Sequence, residues 1–353
     1  MKAMAQIISA SDPIMVEFRR GSLVESRHRC HAVIMTAAGE VVRAWGDPAL
    51  EIFPRSAIKP IQALALLETG AADHYRLTDE RIALATASHA ASQAHVMTVE
   101  AWLDDMDLGE GDLECGAHMP YDEQAAHAMI KRGEAPCRIH NNCSGKHAGF
   151  LTTARHMGED TAGYLAPDHP VQRRLYDALT EMGDCPLGDT ARGVDGCGIP
   201  VYGMALGALA RSAARMADPK GLGSVRRAAA ERITAAMAKH PFMVSGRGRF
   251  DTVAMTAGVG RAKRTGAQPF VTKTGAEAVH TAILPEKGWG IALKVEDGAK
   301  RASDAMMAHL LDFAGVLDDR ARADLSGFLD ATLTNAAGAP VGAVRPAAGW
   351  DRN

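Results

Sequence analysis

A serine and a lysine lie three residues apart near the start of a predicted helix. The segment RSAIKP places Ser56 before Lys59, and residues at this spacing lie on the same side of a helix, about one turn apart. A lysine that has lost its proton can accept the serine proton and generate a nucleophile. Ser-x-x-Lys also arises often by chance, so the alternative is an ordinary helix start, and the motif needs a second signal.

That second signal is VTKTGAEA, which places Lys273-Thr274-Gly275 at the end of a predicted strand. A Ser-x-x-Lys at a helix start, followed much later by Lys-Thr-Gly on a strand, is the order found in serine β-lactamases and penicillin-binding proteins. Those proteins carry a further serine on a loop between the two. Ser88, before His89, is the candidate here, although no Ser-Asp-Asn occurs. The three segments together predict a Ser–Lys catalytic site.

Two cysteine motifs suggest a metal site. NNCSGKHAGF brings Cys143 and Lys146 together at a predicted helix start, and VDGCGIP places Cys197 between two glycines. Two thiols from separate segments could form half of a zinc site. His147, His140 and Lys146 are candidates for a third ligand, and residue chemistry favours histidine because a lysine must first lose its proton. The alternative is that both cysteines are small buried hydrophobic residues.

Two carboxylates near these motifs have two interpretations. Asp195 lies two residues before Cys197, and Glu277 lies two residues after Gly275. Each is either a turn residue or the partner of a substrate ammonium group.

The elements that must position these motifs are strands at both ends of the chain and helices between them. Residues 14–50 alternate apolar and polar side chains, and strand signals return at 269–275 and 288–298. One helix is predicted from about Ser56 to Glu68, with Pro60 in its first turn. Further helices are predicted at 92–105, 122–132, 144–157, 168–182, 202–217, 224–239 and 299–317. We therefore expect a single domain over 1–353, of mixed α/β class, with one largely antiparallel sheet and a helical insertion at about 91–240.

Composition narrows the function classes. Charged residues make up 23% of the chain and the net charge is −3 without a basic stripe, which argues against nucleic acid and favours a small-molecule enzyme. The six cysteines are scattered over 353 residues, so we expect free thiols or metal ligands rather than a disulfide framework. No apolar run is long enough to span a membrane. The N-terminal MKAMAQIISASDPIM, interrupted by Gln6, does not resemble a signal peptide. A cytoplasmic enzyme is expected.

Taken together, the motifs resemble one family. RSAIKP, ASH at 87–89, NNCSGKHAGF, VDGCGIP, FDT at 250–252 and TKTGAEA are similar, in this order, to the signatures of the Rhizobium etli-type L-asparaginases, also called the asparaginase II family. The resemblance runs from about residue 14 to 345, and CSGKHAG and DGCG-x-P are its most specific parts. It implies a penicillin-binding-protein/serine β-lactamase-like fold, a homodimer, and hydrolysis of L-asparagine to L-aspartate and ammonia through an acyl-enzyme.

The same resemblance implies the roles of particular residues. Two Ser–Lys pairs fall on Ser56 with Lys59 and on Ser88 with Lys273. One zinc ion per chain, organising rather than hydrolytic, falls on three ligands: Cys143, Lys146 and Cys197. The lysine ligand comes from the resemblance, since spacing alone favours a histidine.

The substrate is a zwitterion, so groups of both charges are expected around it. Arg55, beside Ser56, is the candidate for its carboxylate, and Asp195 or Glu277 for its ammonium. His89 and His147 are candidates for orienting substrate or water.

The chain departs from the family pattern at two places next to the site. Ala-Ala-Ser-Gln-Ala precedes His95 where Glu-Pro is usual, and Ala-Glu-Ala follows Gly275 where a final glycine is common. Both departures bear on affinity and substrate tolerance more than on reaction type. The alternatives are a β-lactam-recognising serine hydrolase of the same fold and a catalytically inactive binding protein.

Overall fold

The structure of the protein is a computed structural model that describes residues 13–351. Residues 1–12, on which the predicted absence of a signal peptide mainly depends, lie outside this range, as do residues 352 and 353. A search of the described residues finds no helix with the length and apolar character needed to cross a membrane.

Helices and strands follow the predicted order. The strands are β1 (Ile14–Arg20), β2 (Leu23–Thr36), β3 (Val41–Trp45), β4 (Glu51–Ile52), β5 (Arg192–Val194), β6 (Pro200–Tyr202), β7 (Met204–Ala205), β8 (Val271–Thr274), β9 (Val279–Leu284), β10 (Trp289–Val295), β11 (Ala331–Thr334) and β12 (Pro340–Pro346). The helices are α1 (Lys59–Gln62), α2 (Leu64–Glu68), α3 (Ala71–His74), α4 (Asp79–Ala85), α5 (Gln93–Asp104), α6 (Glu123–Arg132), α7 (Ser144–Met157), α8 (Pro170–Gly183), α9 (Leu206–Ala217), α10 (Ser224–Lys239), α11 (Pro241–Val244), α12 (Phe250–Thr265), α13 (Lys300–Phe313), α14 (Asp319–Asp324) and α15 (Ser326–Leu329).

One antiparallel sheet joins the two ends of the chain. Its order is β11-β12-β1-β2-β10-β9-β8, with β3 also paired to β2, so strands from residues 14–45 lie beside strands from residues 271–346. The segment from α5 to α10 supplies mainly helices. The predicted mixed α/β fold, with a largely antiparallel sheet and a helical insertion, is confirmed.

The sheet is buried on both faces. Along β2, Val33 and Met35 face the helical part of the molecule, whereas Ala32 and Ile34 face the second core beside α13, as the two-residue period of a strand requires. Helix α9 packs so closely on β10 that a Cβ at Gly290 would lie 2.1 Å from Ala210 O. The two cores fix the sheet, and the sheet in turn fixes the edge strand β8 that carries Lys273.

The predicted helix from Ser56 to Glu68 is broken into three pieces. A 3₁₀ turn covers Arg55–Ile58, and α1 and α2 follow it. Pro60 has no N–H to donate to Ser56 O, and the N–H of Lys59 takes that carbonyl instead, which tightens the turn. The break separates the two residues of the motif: Ser56 lies on the turn and Lys59 begins the helix.

Most of the other predicted helices lie close to their predicted positions, but α4 and the long helix α12, which carries the FDT segment, were not predicted. The bounds of α5, α6, α7, α8 and α10 agree with prediction to within two residues. Helix α9 starts at Leu206 rather than 202 because the preceding residues pair as β6 and β7. Helix α13 ends at Phe313, before Gly315 (φ +69°), a left-handed conformation that glycine adopts readily after a helix.

Candidate active site

Ser56 and Ser88 line one cavity of about 540 Å³ beside the end of β8. Glu277, one of the predicted substrate contacts, lines it too. The complete lining comprises Ser56, Ser88, Tyr121, Asn142, Arg249, Thr274, Gly275, Ala276, Glu277, Ala278, Gly298 and Lys300. The structure therefore brings the Ser-x-x-Lys turn against the end of the strand that carries Lys-Thr-Gly.

The turn that carries Ser56 is fixed by its neighbours in the sheet. A Cβ at Gly275 would lie 3.0 Å from both Ala57 N and Pro54 O, so a side chain there would push the turn away. On β9, Thr281 Oγ1 donates to Ala57 O at 3.0 Å. Ser56 therefore sits on a rigid turn at the cavity wall, where it is half-buried.

Lys59 lies at the centre of a buried group of polar atoms. Its Nζ is 2.5 Å from Ala87 O, 3.0 Å from Ser88 Oγ and 3.1 Å from Cys143 Sγ, and the residue is 1% exposed. An ammonium can donate to all three partners, whereas a neutral amine can donate to two and accept the proton of Ser88. The geometry therefore accommodates both protonation states of the lysine.

The observed hydrogen bonds differ from the predicted pairing of serines and lysines. Lys59 contacts Ser88, and among residues 13–351 no hydrogen bond joins Lys59 Nζ to Ser56 or Lys273 Nζ to Ser88. In the 3₁₀ turn the residues i and i+3 are aligned but rise about 2.0 Å per residue instead of about 1.5 Å, so Ser56 and Lys59 lie farther apart along the axis than in an α-helix. Lys59 therefore lies closest to the serine of the intervening loop.

Lys273 lies over a buried carboxylate. Its Nζ donates to Thr274 O at 2.6 Å and is 3.9 Å from Asp251 Oδ2. Burial lowers the pKa of Lys273 to about 7; the charge of Asp251 opposes this shift, and the charges of Lys59 and Arg249 reinforce it. A lysine in this environment can gain and lose a proton near neutral pH.

Asp251, from the FDT segment, is itself held by several donors. Its carboxylate accepts from Thr272 Oγ1 (2.9 Å), Thr274 N (3.1 Å) and Thr274 Oγ1 (3.0 Å), and lies 3.1 Å from His280 Nε2. Burial alone would raise the pKa of Asp251, but His280, Lys273 and the Thr274 N–H together lower it. A permanent negative charge therefore lies beneath Lys273.

The three predicted metal ligands come together below the cavity. Lys146 Nζ is 3.0 Å from Cys197 Sγ, and Cys143 and Cys197 interact through their thiols. Cys143, Cys197 and Lys146 are 5%, 4% and 2% exposed. The hydrogen bond with Cys197, together with the charges of Lys59 and Lys146, lowers the pKa of the Cys143 thiol despite its burial.

The donor set suits a thiophilic divalent cation such as zinc. Two sulfurs and one amine nitrogen converge from α7 and the loop before β6, and zinc binds sulfur and nitrogen ligands. In the part of the chain that the structure describes, no group of three or more His, Cys, Asp or Glu side chains is arranged to hold a metal. Any metal bound here would therefore need the lysine amine as its third protein ligand.

Arg55 and Asp195, predicted to bind opposite ends of the substrate, bind each other. Arg55 Nε and Nη2 are 2.8 Å and 2.7 Å from Asp195 Oδ1. Burial alone would raise the pKa of Asp195, but the charges of Lys146 and Arg55 lower it. Neither residue lines the cavity. Glu277, by contrast, faces it from a left-handed backbone position (φ +56°) and makes no ion pair with any residue in 13–351.

The two predicted histidines are buried away from the cavity. His89 Nδ1 accepts from Ala91 N at 3.1 Å, so its Nε2 carries the proton and donates to Ser144 Oγ at 2.9 Å. His89 therefore ties the Ser88 loop to α7 rather than contacting a substrate. His147 Nδ1 lies 2.7 Å from Tyr164 Oη, while its buried Nε2 has no partner among the described residues. Burial lowers the pKa of both histidines, so both are neutral.

Sequence reasoning missed Arg249 and Tyr121 of the cavity lining. Arg249 lies immediately before α12, and its guanidinium carbon is 5.6 Å from the centre of the Tyr121 ring. The two residues are 128 positions apart and share no motif, so only the position of Arg249 next to the FDT segment could have drawn attention to it.

A second cavity, of about 560 Å³, lies elsewhere between α9, α10 and the β9–β10 connection. It includes Asp218, Lys220, Glu231 and Lys287, but no serine, cysteine or histidine lines it. The first cavity has the two serines above buried lysines, so it is the candidate active site.

Comparison with known proteins identifies the family of the chain. The sequence profile of the family described as L-asparaginase II matches residues 16–346, which include every residue of the cavity and of the thiol cluster. The chain belongs to the L-asparaginase II family. Membership supports a hydrolase that acts on a small-molecule amide. A search of the curated proteins finds no match.

Two solved structures are similar to this asparaginase II family protein at low identity. A β-lactamase from Mycobacterium bovis is 15% identical and aligns over 82% of this chain and 95% of its own, with a TM-score of 0.42. A mutant of simvastatin synthase, LovD, from Aspergillus terreus is 11% identical and aligns over 75% and 86%, with a TM-score of 0.36.

Proposed function

We propose that the protein is an L-asparaginase that hydrolyses L-asparagine to L-aspartate and ammonia through an acyl-enzyme on Ser56. One observation carries this proposal: Ser56 and Ser88 line one cavity above the buried lysines Lys59 and Lys273, in a chain of the L-asparaginase II family. The more specific resemblance to Rhizobium etli-type members and the homodimer that it implies remain predictions.

The reaction has two steps. Ser56 Oγ loses its proton to a lysine amine and attacks the side-chain carboxamide carbon; the carbon–nitrogen bond then breaks, and ammonia leaves with a proton from the same network. Water next attacks the β-aspartyl ester, which releases L-aspartate and restores the Ser56 hydroxyl. The backbone N–H of Ser56 itself is the candidate oxyanion donor in both steps, because that of Ala57 already donates to Pro54 O at 3.1 Å.

Hydrogen bonding supports the half of a proton relay that joins Ser88 to Lys59, whose Oγ and Nζ are 3.0 Å apart. Ser56 lines the same cavity as Ser88, so in this proposal the substrate complex brings the two hydroxyls within reach and the Ser88 hydroxyl passes the proton of Ser56 to Lys59. Lys273, with a pKa of about 7, serves as the second proton carrier. Glu277, which is free of ion pairs among the described residues, is placed to bind the substrate ammonium group.

Zinc, if bound, would be held by Cys143, Lys146 and Cys197. There it would supply positive charge that neutralises two thiolates and a link between α7 and the loop containing Asp195. The chain's own residues perform the proton transfers described above, so a metal at this site would organise the wall behind Lys59 rather than the reacting atoms.

One experiment tests the proposal most directly. Purified protein is assayed for ammonia release from L-asparagine and from L-glutamine, incubated with a labelled penicillin, and analysed for bound metal. We expect ammonia from L-asparagine, no covalent penicillin adduct, and about one zinc per chain. A penicillin adduct without ammonia release would instead identify a β-lactam-recognising hydrolase. No reaction in either arm would indicate a binding protein.

The pH dependence of the reaction tests the role of Lys273. A neutral amine is required to accept a proton, so kcat should rise as the pH increases through about 7, the pKa of Lys273. The charge of Asp251 raises that pKa. In Asp251→Asn the rising limb of the pH–rate profile should therefore move to lower pH, by about one to three pH units.

Thr272→Val is the matched control for this prediction. It removes one hydrogen bond to Asp251 but keeps the charge, so its rising limb should stay within about half a pH unit of wild type. A lower rate in Asp251→Asn with an unmoved limb would contradict the role of Lys273 as proton carrier.

A further inference from the structure

The cavity has three charged lining residues, and they differ in whether they form an ion pair with another side chain. Arg249, Glu277 and Lys300 are its charged lining residues. Lys300 forms an ion pair with Asp304, one helical turn away on α13. Within residues 13–351, Arg249 makes no ion pair and Glu277 makes none. The cavity therefore presents one guanidinium and one carboxylate that form no ion pair within residues 13–351, although Lys294, whose Nζ donates to Glu277 O at 2.9 Å, lies close enough to Glu277 for the two charges to interact.

The fold fixes where Arg249 stands. The loop before α12 passes close to the Ser88 loop, since a Cβ at Gly246 (φ +116°) would lie 2.7 Å from Ala90 Cβ. Gly246 N donates to Thr252 Oγ1 at 3.2 Å, which closes the loop around the start of α12. Phe250, the next residue after Arg249, is 1% exposed and anchors α12 in the core. The backbone of Arg249 is thus held at the cavity wall from both sides.

The Tyr121 ring orients the Arg249 side chain. The guanidinium carbon lies 5.6 Å from the ring centre, within the range of a cation–π contact. A guanidinium on an aromatic face keeps its edge N–H groups available, and those groups match the two oxygens of a carboxylate. Arg55, the other arginine near Ser56, already directs two nitrogens at Asp195.

We propose that Arg249 binds the α-carboxylate of the substrate while it rests on Tyr121, with Glu277 holding the ammonium group on the same cavity wall. This inference rests on the proposed asparaginase activity. It makes the free α-carboxylate, rather than the amide alone, the feature by which the site selects its substrate. Amides that lack that carboxylate are poor substrates for this reason.

The experiment combines a variant with a modified substrate. Ammonia release is measured for wild type and Arg249→Gln with L-asparagine and with its α-methyl ester, which keeps the side-chain amide but has no α-carboxylate. Loss of a charge-assisted, two-point contact should lower kcat/KM by about 30- to 1000-fold. We expect that loss for wild type on the ester and for Arg249→Gln on L-asparagine, with no more than about threefold further loss when both changes are combined.

Arg247→Gln is the matched control, because Arg247 lies in the same loop but is exposed and does not line the cavity. It should leave both substrates within about twofold of wild type. Arg249→Lys keeps the positive charge but not the planar pair of N–H donors, so it should recover part of the lost kcat/KM for L-asparagine.

Two results would overturn the role of Arg249, and a third would overturn the proposed asparaginase activity on which that role rests. Arg249→Gln with unchanged kcat/KM for L-asparagine would overturn the inference and leave the asparaginase proposal intact. Additive losses in the combined test would also overturn it. Wild-type protein that releases no ammonia from L-asparagine would overturn the proposed function itself.

A second measurement avoids any dependence on the folding of the variant. Phenylglyoxal modifies exposed guanidinium groups, and bound L-aspartate should protect Arg249 of the wild-type chain while leaving Arg247 reactive, as read by mass spectrometry of peptides. Equal modification of Arg249 with and without saturating L-aspartate would overturn the inference.

Discussion

Replacing Ser56 with alanine should reduce ammonia release from L-asparagine by at least about 10⁴-fold, because it removes the atom that forms the acyl-enzyme. Ser56 rather than Ser88 is expected to be the nucleophile, since Ser56 is more accessible from the cavity. Its side chain is half-buried and its Oγ makes no hydrogen bond within residues 13–351, whereas Ser88 is 6% exposed and its Oγ is held by Lys59. The measurement is steady-state ammonia release, with thermal unfolding to show that the fold survives.

Ser88→Ala is the matched control, and it should lose about 10²-fold, a typical effect of removing one group from a proton-transfer network. Rapid quenching should trap a β-aspartyl ester on Ser56 in wild type and in Ser88→Ala. The opposite pattern, with near-normal turnover in Ser56→Ala and an ester on Ser88, would transfer the nucleophilic role to Ser88.

The fold was predictable where the sequence pattern is local. Apolar residues recur with helical spacing in α5 to α8 and α10, and the strands at both ends alternate or run apolar over several residues, so these elements were identified close to their bounds. The division of the Ser56–Glu68 segment into a 3₁₀ turn and two short helices was not predicted. It depends on Pro60 and on the close approach of Gly275 and Thr281 from the other end of the chain. A contact across more than 200 residues leaves no periodic signal in one sequence.

The site shows the same limit. Ser56, Lys59, Cys143 and Cys197 were found because each lies in a short motif, and the structure brings Lys59 and Cys143 within 3.1 Å. Charge pairing was not predictable, since nothing in the sequence indicates that Arg55 meets Asp195 from 140 residues away. The arginine left available, Arg249, was missed because it belongs to no motif. A motif therefore predicts which residues do chemistry better than which residues bind substrate.

Among single substitutions, loss of the Lys59 amine should lower kcat more than any other except loss of the Ser56 hydroxyl. Lys59→Met keeps the length of the buried side chain but removes the group that contacts Ser88 Oγ, Ala87 O and Cys143 Sγ. Loss of a positioned general base costs about 10² to 10⁴-fold in kcat, and we expect the upper end because the relay from Ser56 ends at this amine. The KM for L-asparagine should change much less, because Lys59 does not line the cavity.

The variant Lys59→Arg distinguishes a role of Lys59 as a base from a role as a positive charge only. An arginine keeps a positive charge beside Cys143 but does not release its proton in a protein, so a base role predicts that this variant is as inactive as Lys59→Met. If the role of Lys59 were only to hold positive charge near the thiols, Lys59→Arg would retain activity within about tenfold of wild type, and that result would remove Lys59 from the proton relay. Lys273 would then be the remaining base, and its pH limb near 7 would describe the whole reaction.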